Sequence, residues 1–265
     1  MAYTIVFFHA HPDDEAIATG GSMARAKHEG HRVILVSATR GELGEFAPDS
    51  LAPGESLVDR RVAELHAAAG LLGVDRVEFL GYRDSGMAGE PTNDEPESFW
   101  SADLDEAAAR LARLLDEEQV DVLTVYDEHG NYGHPDHIQV HRVGVRAAEM
   151  AGTPRVYEAT MNRDYIRRLM SLIPQEPDAP EAPADLETLG SSEDVITTTI
   201  DVADFVDLKR KAMVAHASQI PDDSFFLQLP EDAFREAFRF EWYIRRDGPR
   251  THRETSLFDG LPERA

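Results

Sequence analysis

The chain has 265 residues, which suits a single α/β domain with a sizeable buried core. Its 50 acidic and 26 basic residues give a net charge of −24, which excludes a nucleic-acid binder because like charges repel. Because there is no cysteine, any metal must be held by nitrogen and oxygen. No segment reaches the roughly 20 apolar residues that span a bilayer, and no basic region precedes an apolar leader. We therefore expect a cytoplasmic protein without a membrane span.

Short apolar runs alternate with amphipathic stretches through the first half of the chain. The runs predict buried strands at 4–8, 33–37, 77–80, 122–126 and 156–159. The stretches between them predict helices at 16–29, 60–72, 104–117 and 135–150. This alternation indicates an α/β fold, a Rossmann-like three-layer αβα arrangement around a mostly parallel sheet. No GxGxxG follows the first strand, which argues against a nucleotide-binding module.

The second half of the chain has a weaker pattern. The segment 174–190 is rich in proline and acidic residues and predicts a mobile loop within one domain spanning 1–265. Helices are predicted at 204–217 and 231–245. The polar C-terminal tail 249–265 is expected to fray.

Two histidine-rich segments, at 9–15 (HAHPDDE) and 126–137 (YDEHGNYGHPDH), each follow a predicted strand and lead into a predicted helix. In an open α/β sheet, ligands bind beyond the carboxyl ends of the strands, where the strand order reverses. In the common order 3-2-1-4-5, that point lies between strands one and four. We therefore expect the two loops to face each other and to form an active site there.

The side chains of these loops suit a hydrolytic zinc site. His11, Asp14 and His137 supply two imidazoles and one carboxylate, which leave a fourth tetrahedral position for water. A zinc ion lowers the pKa of such a water to about 7. Asp13 stands beside a predicted ligand and is suited to take the proton of that water as general base.

Two further residues of the second loop are candidates for catalysis. His134 precedes Pro135, which favours a loop conformation, and a protonated imidazole there could stabilise an oxyanion and protonate a leaving amine. Asp136 could orient a metal-bound histidine.

Other interpretations of the same residues stay open. A single His-Pro-Asp is typical of an ordinary helix start. His137 and His141, four residues apart on one helix face, form a rival ligand pair. Two histidines and a carboxylate also bind Fe(II) in oxygenases, so Fe2+ is an alternative to Zn2+.

The motifs together resemble the LmbE/PIG-L family of zinc-dependent N-deacetylases. The resemblance is carried by HPDDE at 11–15, HPDH at 134–137, TRGELGE at 39–45, RVAE at 61–64 and AHASQ at 215–219. Within the family, RDSGM at 83–87 and NYGHPDH at 131–137 look most like the actinobacterial mycothiol branch. That branch contains an N-acetylglucosaminyl-inositol deacetylase and the mycothiol S-conjugate amidase.

The resemblance assigns a role to each candidate residue. It implies the metal ligands His11, Asp14 and His137, the base Asp13, and His134 as oxyanion stabiliser and acid. It places Tyr132 on a mobile loop, where it polarises the carbonyl. It also implies substrate contacts by Arg61 and Asp84 with sugar or inositol hydroxyls, and by Glu45 and Met87 along the pocket.

The implied reaction is metal-dependent removal of an acetyl group from an N-acetylglucosaminyl compound, a small-molecule partner. A homo-oligomer is compatible with the sequence. The alternatives are the S-conjugate amidase, a deacetylase of another N-acylated sugar or natural product, and a metal-containing, sugar-binding pseudoenzyme. Asp13 speaks against the last, because a protein that only binds needs no base beside its metal.

Overall fold

The computed structural model describes residues 2–46, 50–172, 188–248 and 253–262. Within these residues the sheet consists of β1 (Thr4–His9), β2 (Arg32–Ser37), β3 (Arg76–Phe79), β4 (Val122–Tyr126), β5 (Arg155–Thr160), β6 (Thr198–Asp201) and β7 (Phe240–Arg245). The strand order is β3-β2-β1-β4-β5-β7-β6. The first five strands are parallel, and β7 pairs antiparallel with both β5 and β6. The predicted order 3-2-1-4-5 is confirmed and is extended by two antiparallel strands.

Helices cover both faces of the sheet. They are α1 (Asp14–Ala18), α2 (Gly20–His28), α3 (Leu57–Leu72), α4 (Leu104–Glu117), α5 (Gly130–Gly133), α6 (Pro135–Ala151), α7 (Arg163–Leu172), α8 (Val206–Ala215) and α9 (Glu231–Phe238). Alternate residues of β1 enter two separate apolar clusters: Ile5 and Phe7 pack towards α2, α3 and α8, whereas Val6 and Phe8 pack towards α4 and α6. The three-layer αβα arrangement predicted from the sequence is therefore confirmed.

The predicted helix 231–245 is wrong in its second half. The helix α9 ends at Phe238, and the next residues, Phe240–Arg245, form β7. Their sequence FEWYIR is rich in aromatic side chains. Glu241 and Tyr243, two residues apart, are buried, whereas their neighbours are only partly buried, as expected for a strand. Such a segment fits a pleated, half-buried surface better than a helix. The strand β6 and the helix α7 were also missed.

The predicted helix 16–29 is divided at Thr19 into α1 and α2. The carboxylate of Glu241 accepts hydrogen bonds from the backbone N–H groups of Gly21 and Ser22, at 2.9 and 2.8 Å. These bonds satisfy buried amides at the start of α2 that have no partner within the helix. Gly21 also lies so close to Val202 that an added Cβ would approach its side chain to 2.5 Å. A long-range contact from β7 therefore sets the start of α2.

Residues 253–262 do not fray as the sequence predicts but pack against the sheet. Glu254 is buried and accepts hydrogen bonds from Tyr157 and Thr198, at 3.0 and 2.9 Å. Leu257 lies in the apolar core, and Phe258 stacks on His31 with ring centroids 3.7 Å apart. Of the predicted loop 174–190, residues 174–187 lie outside the described part of the chain. No helix within the described residues is long and apolar enough to cross a membrane.

Candidate active site

The two histidine-rich loops lie side by side because the strands that precede them are neighbours. β1 and β4 pair in parallel, with Ile5 opposite Val122 and Phe7 opposite Thr124. Their carboxyl ends therefore reach the same edge of the sheet. The sequence-based prediction that residues more than a hundred positions apart meet between strands one and four is confirmed.

His11, Asp14 and His137 converge at this edge. Asp14 Oδ2 lies 3.3 Å from His11 Nδ1, and Asp14 Oδ1 lies 3.4 Å from His137 Nε2. One ligand-capable atom from each residue lies within 4.8 Å of the others. Both ring nitrogens of His137 are buried and have no hydrogen-bond partner among the described residues. Buried polar atoms are rarely left in this state, so the three side chains fit a metal ion.

The charges around His11 also favour a cation. Its Nε2 lies 3.1 Å from Asp136 Oδ2 and 3.5 Å from Asp84 Oδ1, while Asp14 approaches the other ring nitrogen. Burial alone would lower the pKa of His11, but hydrogen bonds to these three carboxylates outweigh burial and raise it well above its usual value. Clustered buried carboxylates require positive charge nearby, and a divalent metal can supply it.

Asp136 bonds the ring of His11 at the edge of the cluster. Its carboxylate accepts hydrogen bonds from the backbone N–H of Ser85, at 3.0 Å, and from the Ser85 hydroxyl. Because Asp136 also bonds His11 Nε2, the opposite nitrogen, Nδ1, faces Asp14 and His137. Hydrogen bonds of this kind set the tautomer and direction of metal-binding histidines.

Asp13 lies in an unusual backbone conformation at the start of α1. Its φ is 115° and its ψ is −33°, in a region that non-glycine residues seldom adopt. Its backbone N–H donates to Glu15 Oε2 at 2.9 Å, and its carboxylate lies 3.4 Å from the Arg61 guanidinium. Burial raises the pKa of Asp13 to about 6, against the opposing effect of Arg61. This value suits a general base acting near neutral pH.

His134 both starts a helix and belongs to the site, so the two interpretations of His-Pro-Asp hold together. It is the N-cap of α6, and its Nδ1 accepts a hydrogen bond from the backbone N–H of Asp136 at 3.1 Å. An accepting Nδ1 carries no proton, so the ring is neutral with its proton on Nε2. Burial, together with the nearby His11 and His137 rings, lowers the pKa of His134 to about 4. The sequence-based expectation of a protonated imidazole is therefore replaced by that of a neutral donor.

Tyr132 lies on the short helical turn α5 rather than on an irregular loop. Its ring centroid is 4.9 Å from that of His137, and about half of the residue is exposed. The preceding Asn131 has a φ of 63°, which turns the chain sharply at this point. The phenol therefore stands at the open side of the site.

The four predicted substrate contacts occupy different environments. Asp84 is buried beside His11, and its carboxylate accepts hydrogen bonds from the backbone N–H groups of Gly86 and Leu43, at 2.9 and 3.2 Å. Although burial opposes it, the bond to His11 lowers the pKa of Asp84 below its usual range. Glu45 and Met87 are exposed.

Arg61 is only 3% exposed and binds two loops together. Its guanidinium donates to the backbone carbonyls of Pro12, at 2.6 Å, and Gly41, at 2.8 Å. Gly41 has a φ of 67°, and an added Cβ there would meet the guanidinium at 2.3 Å. The 39–45 loop thus closes tightly over Arg61, which limits its access to a ligand.

The sequence prediction missed two residues that contact the predicted catalytic groups and a third that bonds one of these two. Ser85 holds Asp136, Glu15 holds the Asp13 backbone, and His216 bonds Glu15. Glu15 and His216 belong to motifs that carry the family resemblance, which was the available signal. His141 bonds the carbonyl of Tyr126 through Nδ1 at 3.0 Å, so the rival pair with His137 does not form the cluster.

A cavity of about 530 Å³ borders the start of the segment 127–134. It is lined by residues that include Asp127, His129, Arg163 and Arg245, but by none of the predicted site residues. Asp127 Oδ1 accepts a hydrogen bond from Asn131 N–H at 2.8 Å and so fixes this segment. The convergence of ligating side chains identifies the candidate site better than cavity size does.

Known proteins with similar sequences include deacetylases. A 1D-myo-inositol 2-acetamido-2-deoxy-alpha-D-glucopyranoside deacetylase from Thermomonospora curvata is 39% identical, covering 97% of this chain and 97% of the relative. The protein of the same name from Streptomyces avermitilis is 42% identical, with the same coverage of both chains. The structure of N,N'-diacetylchitobiose deacetylase from Pyrococcus horikoshii is 25% identical with a TM-score of 0.57, covering 83% of this chain and 72% of that one.

The family model described as "PIG-L: GlcNAc-PI de-N-acetylase" matches residues 6–148, more than half of the chain. That range contains both histidine-rich loops and their strands. The chain therefore belongs to the PIG-L family and is an N-deacetylase, a hydrolase of amide bonds.

Proposed function

We propose that the protein removes the acetyl group from 1D-myo-inositol 2-acetamido-2-deoxy-alpha-D-glucopyranoside in a zinc-dependent hydrolysis. The observation that carries this proposal is the His11, Asp14 and His137 cluster, in a chain about 40% identical over nearly its full length to deacetylases named for that substrate. The cytoplasmic location expected from the sequence stays a prediction.

His11, Asp14 and His137 would hold the metal, and Asp136 would keep His11 turned towards it. When bound, zinc acts as a Lewis acid that makes a water nucleophilic at neutral pH. Zinc is favoured over Fe2+ because hydrolysis needs no change of redox state and a base stands beside the ligands. The partly exposed Asp14 leaves room for water on the open side of the cluster.

Asp13 would take a proton from the attacking water. Its raised pKa lets it accept that proton and then release it near neutral pH. As the water oxygen bonds the acetyl carbon, the carbonyl oxygen gains negative charge. When the C–N bond breaks, the proton on Asp13 passes to the departing nitrogen, and the second proton of the water stays on the acetic acid product. That acid ionises near neutral pH, so the products are acetate and the free amino sugar.

His134 and Tyr132 would stabilise the charge on the carbonyl oxygen. The neutral His134 ring presents its Nε2–H, because its Nδ1 is engaged by the helix. Tyr132 lies on α5, two residues before His134, and its hydroxyl can donate a second hydrogen bond. Donors fixed where charge develops are among the largest contributions to catalysis.

The predicted substrate-binding side chains differ in how far they are exposed to solvent, and this suggests different roles for them. Asp84 borders the histidine cluster and can accept hydrogen bonds from sugar hydroxyls. Glu45 and Met87 are exposed and can contact the inositol end. The enclosed Arg61 is better placed to hold the Pro12 and Gly41 loops than to bind a hydroxyl directly.

The proposal is tested by measuring acetate release from the inositol glycoside, from free N-acetylglucosamine and from a mycothiol S-conjugate, with one zinc per chain. We expect the inositol glycoside to have the highest kcat/KM, by at least about tenfold, since selective contacts each supply about 1–3 kcal/mol. Faster cleavage of the S-conjugate would reassign the chain as an amidase. Binding of the glycoside without acetate release would indicate a pseudoenzyme.

A further inference from the structure

The conformation of Asp13 needs support from its surroundings. A non-glycine residue with a φ of 115° persists only where neighbouring groups hold it. Hydrogen bonds on both sides of Asp13 contribute. The Arg61 guanidinium donates to the preceding carbonyl, of Pro12, the Asp13 carbonyl accepts from the first turn of α1, and the Glu15 carboxylate accepts from the Asp13 N–H. The direction of the Asp13 carboxylate therefore depends on where the Glu15 side chain lies.

Glu15 is itself held from the second half of the chain. Its Oε1 bonds Nε2 of His216, at 2.5 Å, and neither side chain is exposed. His216 stands at the C-terminal end of α8, 201 residues further along the sequence. Its other ring nitrogen, Nδ1, has no hydrogen-bond partner among the described residues. The imidazole therefore makes its one hydrogen bond in the described structure to the carboxylate that holds Asp13.

Attachment of α8 to the rest of the fold does not depend on this bond. Ser218, two residues later, donates from its backbone N–H and its hydroxyl to Glu64 of α3, at 3.0 and 2.6 Å. α8 also packs directly on α1, α2 and α3. If the hydrogen bond of His216 served only to attach α8 to the fold, it would duplicate these contacts. Its separate consequence is that it holds Glu15, which in turn bonds the Asp13 N–H.

We propose that His216 is a positioning residue for the deacetylation, which acts through Glu15 to fix the backbone of Asp13 and the direction of its carboxylate. This inference rests on the proposed role of Asp13 as general base. Both side chains are fully buried and offer no surface to a substrate, so the effect falls on the rate of the bound complex rather than on binding. Small displacements of a reacting group are enough to slow a reaction greatly.

The test compares His216→Phe, which fills the space without a donor, with His216→Gln, whose amide can still donate to Glu15. We expect His216→Phe to lower kcat by about 100-fold, the effect of a misplacement near 1 Å, with KM and zinc content unchanged. His216→Gln should recover most of this loss. Tyr243→Phe is the matched control: it removes a buried hydrogen bond, to Ser22, away from the site and should leave kcat unchanged.

Hydrogen exchange gives a second measurement that needs no activity. The peptide covering residues 10–15 should exchange faster in His216→Phe than in the wild type, because the Asp13 N–H loses its fixed acceptor, and should be unaffected in Tyr243→Phe. If the wild type released no acetate, the proposed function would fail, yet this comparison would still decide whether His216 holds Asp13.

A double variant guards against misfolding of His216→Phe, which leaves Glu15 as an unpaired buried carboxylate. Glu15→Met with His216→Phe replaces both partners by apolar groups, a change that folds tolerate better than the loss of one. It should show the same loss of kcat and the same faster exchange. Wild-type kcat and exchange in a folded variant would overturn the inference. A loss of activity that is fully explained by a loss of zinc would also overturn it. His216 would then act by holding the proposed metal ligand Asp14 rather than the base Asp13.

Discussion

The carboxylate of Asp136 lies 3.1 Å from Nε2 of His11 and is itself fixed by the backbone and hydroxyl of Ser85. One buried acid thus joins the loop after β4 to the loop after β1 and to the 83–87 segment. The relationship explains how three separate parts of the chain form one site. It also predicts that metal affinity depends on residues that do not touch the metal.

Asp136→Asn should weaken zinc binding by about 10–100-fold, because the amide no longer fixes the His11 ring as a charged acceptor does. Zinc affinity is measured by competition with a chromogenic chelator. Ser101→Ala is the control, since Ser101 donates to the Asn93 carbonyl and does not reach Asp136. Equal zinc affinity in Asp136→Asn and the wild type would contradict the orienting role.

His134→Ala should retain one zinc per chain while kcat falls by about 10²–10³, the loss expected for one oxyanion donor. Zinc analysis and acetate release, measured on the same sample, check both parts. If the variant lost its metal instead, His134 would be a ligand, as its proximity to His11 and Asp136 allows. A kcat within about twofold of the wild type would remove His134 from the mechanism.

The parts of the fold that the sequence predicts are those set by local pattern. β1, β2 and β4 are almost entirely buried and therefore appear as nearly continuous apolar runs, and the strand order then places the two loops together. The strand Phe240–Arg245 lies between β5 and β6 and begins two residues after α9 ends, so the sequence analysis extended the amphipathic pattern of that helix over it. The bond between Glu15 and His216 depends on how α8 packs, which no local pattern contains.

In the candidate site, too, the features set by a local motif were predicted from the sequence, and those set by the folded surroundings were not. The proximity of His11, Asp14 and His137 was predicted, because these residues belong to two short motifs that follow neighbouring strands. The tautomer of His134 was not, since it depends on the N–H of Asp136 at the helix start. The enclosure of Arg61 depends on the path of the 39–45 loop, which only the folded chain defines.

An ion cluster far from the site makes a prediction about stability. Glu118 bonds Arg32 and Arg76, and the hydrogen bond from Arg32 lowers the pKa of the Glu118 carboxyl from 4.5 to about 2. A carboxyl with a lower pKa in the folded state stabilises the fold above its unfolded pKa and loses that contribution as the pH falls. Glu118→Gln should lower the free energy of unfolding at pH 7 by about 1 kcal/mol, as for a favourable surface network.

This difference should shrink below pH 4.5 and approach zero near pH 2. Urea unfolding of both proteins between pH 7 and pH 3 measures it. The matched control is Glu117→Gln, whose carboxylate also meets Arg76 but is mostly exposed, so its effect should stay below about 0.5 kcal/mol. A pH-independent difference between Glu118→Gln and the wild type would contradict the assignment to ionisation.

The most direct test of the mechanism is a zinc titration of metal-free wild type, Asp13→Ala and His137→Ala, with acetate release followed at each point. We predict that the wild type gains full activity at one equivalent of zinc. Asp13→Ala should bind one equivalent and release acetate at least about 10²-fold more slowly, since it keeps the metal but lacks the base. His137→Ala should bind zinc far more weakly. Near wild-type turnover in zinc-loaded Asp13→Ala, or an unchanged zinc affinity in His137→Ala, would contradict the account.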